Sequence, residues 1–153
     1  MRTKVTALVV SAACLVGIAG YEGYRSSAYK DVGGVPTIGY GETKGVKMGD
    51  KTTPERALVQ LLKSANAHAE SIKKCIKVPL HQREFDAYTS FAYNVGVANF
   101  CNSTLNKKLN AGDYEGACKE LLKWNKVKGR IYKGLQVRRQ KEYETCMGVK
   151  NGD

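Results

Sequence analysis

Histidine is scarce in this chain of 153 residues: only His68 and His81 occur. Neither has Ser and Asp partners arranged as a triad, so both read as surface residues and Ser–His–Asp chemistry is set aside. The five cysteines, at 14, 75, 101, 118 and 146, contain no C-x-x-C pair. The spacings of known zinc sites are therefore missing, and neither a metal nor a cofactor is expected. A Gly-rich phosphate loop of the Walker or Rossmann pattern is lacking too, as are internal repeats and low-complexity linkers. Acidic residues are few: 14 Asp and Glu stand against 25 Lys and Arg, a net charge of +11. That excess favours polyanionic surroundings such as nucleic acid, anionic lipid or a charged cell envelope, without choosing among them. No recognised nucleic-acid motif accompanies it, and none is expected to bind. The length excludes a large multidomain enzyme, and an apolar content of 42% excludes wholesale disorder.

Long apolar runs are also missing, with one partial exception. Arg2 and Lys4 precede a charge-free run from Val5 to Gly20, and basic residues before an apolar stretch are an export signature. As a helix the run spans about 24 Å, short of a hydrocarbon core of about 30 Å, so membrane residence is marginal. Three readings compete. The first is a cleaved signal peptide, with Gly17-Ile18-Ala19 as a small-x-small cleavage site. The second is a lipoprotein signal ending at Cys14, weakened by Ser11 where a branched apolar residue is wanted. The third is an uncleaved, weakly held anchor. Behind such a segment, Cys75, Cys101, Cys118 and Cys146 read as two disulfides in an oxidising compartment. Spacing leaves all three pairings open.

Residues 28–50 hold six of the sixteen glycines, and Val32 to Gly41 reads as short strands linked by tight turns. Thr53-Pro54-Glu55 supplies an N-cap, a proline at the first helical position and an acid in the first turn. Leu58, Leu61, Leu62, Ala65, Ala69 and Ile72 follow at helical spacing, to about Cys75, before Val78-Pro79. The remainder reads as helical: Phe85, Tyr88, Phe91 and Ala92 share a face, as do Ala117, Leu121 and Trp124. A last helix carries Arg138, Arg139, Glu142, Tyr143 and Cys146, with Gly148 as its cap. The expected fold class is α+β. A small Gly-rich β-hairpin lobe (about 24–52) is joined by a long helix (about 54–75) to a larger helical lobe (about 79–148). Residues 1–20 form a separate leader, and 21–153 the functional domain. Two lobes leave a cleft between them, where ligand sites tend to lie.

Glu22 stands at the end of the leader's helical stretch, while Asp31 and Thr37 fall in the Gly-rich hairpin. A helix end folded against a hairpin can set two carboxylates across one cleft. Glycoside hydrolysis needs such a pair: an acid for the leaving oxygen and an anion for water or the sugar. Spacing alone also fits two solvated acids. The surrounding residues are more specific. Glu22-Gly23, Tyr29-Lys30-Asp31 and Pro36-Thr37-Ile38-Gly39-Tyr40-Gly41 resemble the active-site stretch of the phage-type lysozymes, the glycoside hydrolases of bacteriophage lysis. The resemblance continues through Phe91 to Gly96, Asn99-Phe100, Ser103-Thr104-Leu105, Gly134-Leu135, Arg138-Arg139 and Glu142.

The resemblance implies a lysozyme-like fold and a muramidase that cuts the β-1,4 bond between N-acetylmuramic acid and N-acetylglucosamine in peptidoglycan. It makes Glu22 the proton donor and Asp31 the carboxylate that activates water and stabilises the transition state. Thr37 becomes the hydroxyl that places the water, in an inverting arrangement. Glu42, Tyr93, Asn94 and Arg138 are the candidate substrate contacts. Glu42 departs from the family, which often has His after Gly-Tyr-Gly; it is expected to point to solvent. Tyr88, Phe91 and Trp124 are expected in the core, and Arg138 and Arg139 on a solvated or ion-paired face. Some relatives keep only cysteines matching 118 and 146, which implies the pairs Cys118–Cys146 and Cys75–Cys101.

The leader is similar to that of signal-arrest-release endolysins. Cleavage after Ala19 would leave Glu22 third in the mature chain, yet an acid must sit in a fixed place and chain termini fray. The expectation is an inactive chain anchored in the host inner membrane through residues 5–20, then a released, active, monomeric enzyme in the periplasm. The competing expectation is an exported module that grips an envelope polymer without cleaving it.

Overall fold

A computed structural model describes residues 1–149. A 3-10 turn at Val5–Ala7 precedes α1 (Ala12–Glu22), β1 (Arg25–Lys30), β2 (Pro36–Gly39) and α2 (Pro54–Lys73). Then come α3 (Gln82–Val95), α4 (Val97–Cys101), α5 (Thr104–Asn110), α6 (Tyr114–Glu120) and a 3-10 turn at Leu121–Lys123. β3 (Lys126–Val127), β4 (Arg130–Ile131) and α7 (Lys133–Met147) complete the chain. This is the α+β lysozyme-like arrangement expected of the sequence. β1 and β2 pair antiparallel, Tyr29 opposite Thr37, and β1 begins upstream of the Val32–Gly41 stretch that carried the strand signal. The segment between Trp124 and Lys133, expected to be helical, instead folds as the β3–β4 hairpin.

Local chemistry explains the boundaries. Thr53 caps α2 by accepting from the Arg56 amide, with Pro54 at the first helical position, where its missing N–H costs nothing. One face of α2 buries Ala57, Leu61, Ala65, Ala69 and Ile72. Leu58 and Leu62, read as part of that face, stand half in solvent because they fall to either side of the buried stripe. The main core packs Ile72, Phe85, Tyr88, Phe91, Phe100, Leu105, Leu109 and Leu121. Trp124 sits edge-on to Phe91 at 5.3 Å between ring centres. Cys75–Cys101 and Cys118–Cys146 are both disulfide-bonded.

The leader is built into this body. Val5 and Leu8 are buried in the main core, and Thr3 forms an antiparallel bridge with Leu80. Arg2 holds Glu84 through Nε and Nη2, both at 3.1 Å, with its guanidinium 3.5 Å from the centre of the Tyr114 ring. Ser11 caps α1, accepting from the Cys14 amide, and donates to Asp86 of α3 at 2.6 Å. Farther along α1, Ile18 is fully buried against Leu61 and Ala65 of α2. Among the described residues, no helix is long and apolar enough to cross a membrane.

Candidate active site

Glu22 is the last residue of α1, and Gly23, with φ 67°, ends the helix there. Burial of Ile18 one turn earlier fixes the roll of α1 and so the direction of the Glu22 side chain. Its carboxylate is held from two sides. Arg138 Nη1 donates to Oε1 at 3.0 Å. On the other side Gly41 closes in so tightly that an added Cβ would meet Oε2 at 2.7 Å. Gly41 has φ +82°, a conformation that glycine alone adopts without cost.

Arg138 is itself clamped. Nε donates to Glu142 Oε1 at 3.1 Å and Nη2 to the Ser90 carbonyl at 3.1 Å. Glu142 Oε1 also accepts from Arg139 Nη2 at 2.9 Å and Ser90 Oγ at 3.0 Å. Burial pushes the Glu142 carboxyl above its ordinary range, while the two guanidiniums pull it back. The arginine pair, read as a solvated or ion-paired face, is thus ion-paired and buried, at 5% and 1% exposure. With every guanidinium nitrogen engaged, Arg138 faces the Glu22 carboxylate.

Asp31 closes the β1–β2 turn. Its Oδ1 accepts from the Gly33 amide at 2.8 Å and the Val35 amide at 2.9 Å, which orients the carboxylate and leaves Oδ2 unengaged among the described residues. Thr37 is buried on β2 and donates to the Val35 carbonyl at 2.9 Å. The same turn therefore holds both residues.

Glu22, Asn94 and Arg138 line one cleft of about 680 Å³, faced by Val32 and Gly33 directly after Asp31, and by Val127, Lys128 and Tyr132. Tyr40, Glu42 and Tyr93 line a second cavity of about 540 Å³ under the small lobe. Tyr93 donates to the Tyr40 carbonyl at 3.3 Å, which pins the residue beside Gly41. Burial, then the charges of Glu22 and Glu42, push the Tyr93 hydroxyl up to about 12.

Two expectations are corrected here. Glu42 does not point freely to solvent: it is half-buried, and its Oε2 accepts from Ser64 Oγ on α2 at 2.7 Å. His68 is half-buried too, 4 residues after Ser64, with Nδ1 2.6 Å from the Ser64 carbonyl and its ring 5.0 Å from that of Tyr93. His81 starts α3, where its amide donates to Glu84. Glu142 was missed as the anchor of the arginines, although an acid 4 residues after Arg138 on one helix face is a readable ion-pair signal. Cys14, unexplained by the sequence, donates weakly to the Asp86 carbonyl at 3.4 Å; burial, then Asp86, push its thiol up to about 12. A thiol so raised is a poor nucleophile.

Glu22, pinned on a helix end, lines a cleft that is also lined by Val32 and Gly33 of the turn that Asp31 closes. The chain belongs to the phage lysozyme family, whose sequence model, described as Phage lysozyme, matches residues 19–142. It is 42% identical over 140 residues to a protein named SAR-endolysin from Pseudomonas phage phiKMV, covering 89% of this chain and 87% of that one. Among solved structures it resembles the endolysin from Escherichia coli O157:H7 phage FAHEc1, with a TM-score of 0.85 and 35% identity over the full length of both chains. The active form of the P1 phage endolysin Lyz matches at a TM-score of 0.81 and 26% identity, over 97% of this chain and 90% of the other.

Proposed function

We propose that the protein is a phage endolysin that hydrolyses the β-1,4 bond between N-acetylmuramic acid and N-acetylglucosamine in peptidoglycan. Glu22 protonates the leaving glycosidic oxygen. Asp31 activates water through Oδ2 and stabilises the oxocarbenium-like transition state, while Thr37 helps place that water. The carrying observation is the fixing of the Glu22 carboxylate at the cleft between Arg138 and Gly41. Asn94, exposed on the cleft wall, contacts substrate directly. Glu42 and Tyr93 shape the neighbouring cavity, and Arg138 serves the substrate through Glu22. Release of reducing ends from purified peptidoglycan tests the reading. Glu22→Gln and Asp31→Asn should each abolish it with the fold intact, and the first product anomer, read by NMR, should be inverted. Undiminished hydrolysis by Glu22→Gln would refute the acid assignment.

The same reading covers the leader. Before lysis, residues 5–20 hold the chain in the host inner membrane; afterwards they form the 3-10 turn, docked through Val5, and α1 in the periplasm. Two observations support this: the basic–apolar leader, and its complete use in the folded body, where α1 has only 11 residues. Fractionation of expressing cells should find full-length chain in membrane and periplasm, with activity in the periplasm alone. A periplasmic form trimmed at Ala19 and fully active would restore the ordinary signal peptide. The active species is a monomer that needs no nucleic acid.

A further inference from the structure

The stretch Ile38-Gly39-Tyr40-Gly41-Glu42 folds back on itself at the end of β2. Ile38 and Glu42 exchange both backbone hydrogen bonds, each at 2.9 Å, and Gly39 and Gly41 take φ +64° and +82° to close the loop between them. The loop lies between two hard boundaries. A Cβ added to Gly39 would meet Ala57 Cβ of α2 at 3.0 Å, and one added to Gly41 would meet Glu22 Oε2 at 2.7 Å. Any movement of the loop relative to α2 therefore changes the space left to the Glu22 carboxylate.

One face of α2 keeps the loop in place. Ala57, Leu61, Ser64, Ala65 and His68 recur at helical spacing along it. Tyr40 and Tyr93 pack against Leu61 and Ala65. The His68 ring lies 5.0 Å from that of Tyr93, whose hydroxyl donates to the Tyr40 carbonyl. Ser64 Oγ donates to Glu42 Oε2 at 2.7 Å, the length of a strong bond to a carboxylate. The other oxygen, Oε1, accepts from the Lys44 amide at 3.1 Å, so both are committed to the protein. Glu42 is the last of these anchors along the chain. Beyond it, Thr43 to Lys51 are exposed apart from half-buried Val46, and the next backbone tie to β1 is at Asp50, whose carbonyl accepts from the Ala28 amide.

We propose that Glu42 is a positioning residue for the reaction: through Ser64 it clamps the Ile38–Glu42 loop to α2, and so keeps Gly41 against the Glu22 carboxylate. This rests on the reading of Glu22 as the acid. Arg138 holds that carboxylate from one side by a hydrogen bond, whereas Gly41 limits it on the other by contact alone. Contact fixes a position only when the wall itself is fixed, and the wall is this loop. A freed loop widens the space on the Gly41 side. The acid then strays from the line of proton transfer, while the groups that bind the glycan stay where they are. The loss accordingly belongs in kcat and not in KM.

Reducing-end release by the full chain, measured well below the Tm of each variant, tests this. Glu42→Ala and Ser64→Ala should each lower kcat roughly tenfold with KM within about twofold of the parent. The double variant should lose no more than either single one, because both remove the same bond. Ser64→Thr, which keeps the hydroxyl, should recover most of the loss. Asn66→Ala, on the exposed side of α2, should show none. The second readout is the side-chain carboxyl carbon resonance of Glu22 in NMR, assigned by its disappearance in Glu22→Gln. Ser64→Ala alters no charge, so a shift of that resonance reports a moved carboxylate, and Ser64→Thr should restore the parent position. The Ser64 variants leave Glu42 in place and carry the test even where Glu42→Ala does not fold. A raised KM with unchanged kcat would make Glu42 a substrate contact and overturn the proposal. Additive losses, or an unmoved Glu22 resonance in Ser64→Ala, would overturn it too. A native chain that releases no reducing ends would count against the muramidase reading, and the resonance would then decide the positioning by itself.

Discussion

Gly41→Ala separates the placement of the acid from the stability of the fold. An alanine Cβ at position 41 would lie 2.7 Å from Glu22 Oε2 and 3.3 Å from Cδ, where ordinary contact begins at 3.4 Å. Relief requires the carboxylate to retreat by about 0.7 Å, and misplacement near 1 Å costs on the order of a hundredfold in rate. Because the clash falls on the end of a side chain, folding loses little from it. The stability cost comes from φ +82°, which an alanine occupies at about 1–2 kcal/mol. For a chain of this size that lowers Tm by about 2–8 °C. Gly45→Ala is the matched control: φ is +71° and an added Cβ would meet nothing within 4 Å. Both variants should therefore lose similar stability in thermal denaturation. Gly41→Ala should retain about 1–10% of the kcat for reducing-end release, and Gly45→Ala nearly all of it. Equal activities in the two variants would refute the claim that Gly41 and Arg138 together fix the acid.

Three further outcomes follow from the ion pairs. Glu142→Gln leaves two buried guanidiniums short of their shared anion and should cost about 3 kcal/mol, as breaking a buried pair does, read from urea denaturation; an unchanged midpoint would show that the cluster is not structural. Glu120 is held below the ordinary carboxylate range by hydrogen bonds from Lys108 and then Lys123. Its contribution should be full above the unfolded pKa near 4.3 and lost as pH falls through the lower folded value. Stability measured from pH 6 to pH 2 should therefore fall less steeply in Glu120→Gln than in the parent, by about 1 kcal/mol given the exposed lysines. Arg2→Ala removes both guanidinium donors from the Glu84 carboxylate, leaving it the His81 amide, and should destabilise the folded leader by about 1–3 kcal/mol, with faster amide exchange at Leu80.

The sequence made α2 and the core legible because each rests on local chemistry. Thr53-Pro54-Glu55 starts a helix wherever it stands, and Phe85, Tyr88 and Phe91 share a face by period alone. The β3–β4 hairpin escaped because Lys128-Gly129 is a poor match to the Asn-Gly signal of a tight turn, and strands of two residues are too short for alternation to register. At the site, the motif around Glu22, Asp31 and Thr37 named the residues, and the structure shows what holds each of them. It could not show the inward turn of Arg138, which depends on Glu22 being 116 positions away in the chain yet one hydrogen bond away in space. Glu42 was misread for the same reason: its partner Ser64 is 22 residues distant, on an element the hairpin meets only after folding.

The packing of the leader supplies a physical link between residence in a membrane and the state of the acid. α1 is apolar on all sides, and in the folded body it buries only Ile18 completely, leaving Val16 largely exposed. Such a helix gains less from docking than an amphipathic one of equal length, so its fixation depends on contacts at its ends. At the start these are polar: Ser11 on Asp86, Gln82 on the Val9 carbonyl, and Arg2 on Glu84. All reach the first two turns of α3, and on the proposed reading none can form while the leader lies in lipid. At the far end the contact is Glu22 with Arg138, the pair that sets the acid in the cleft. On the proposed reading, leaving the bilayer and placing Glu22 in the cleft would be one event, because the ion pair with Arg138 also fastens the end of α1.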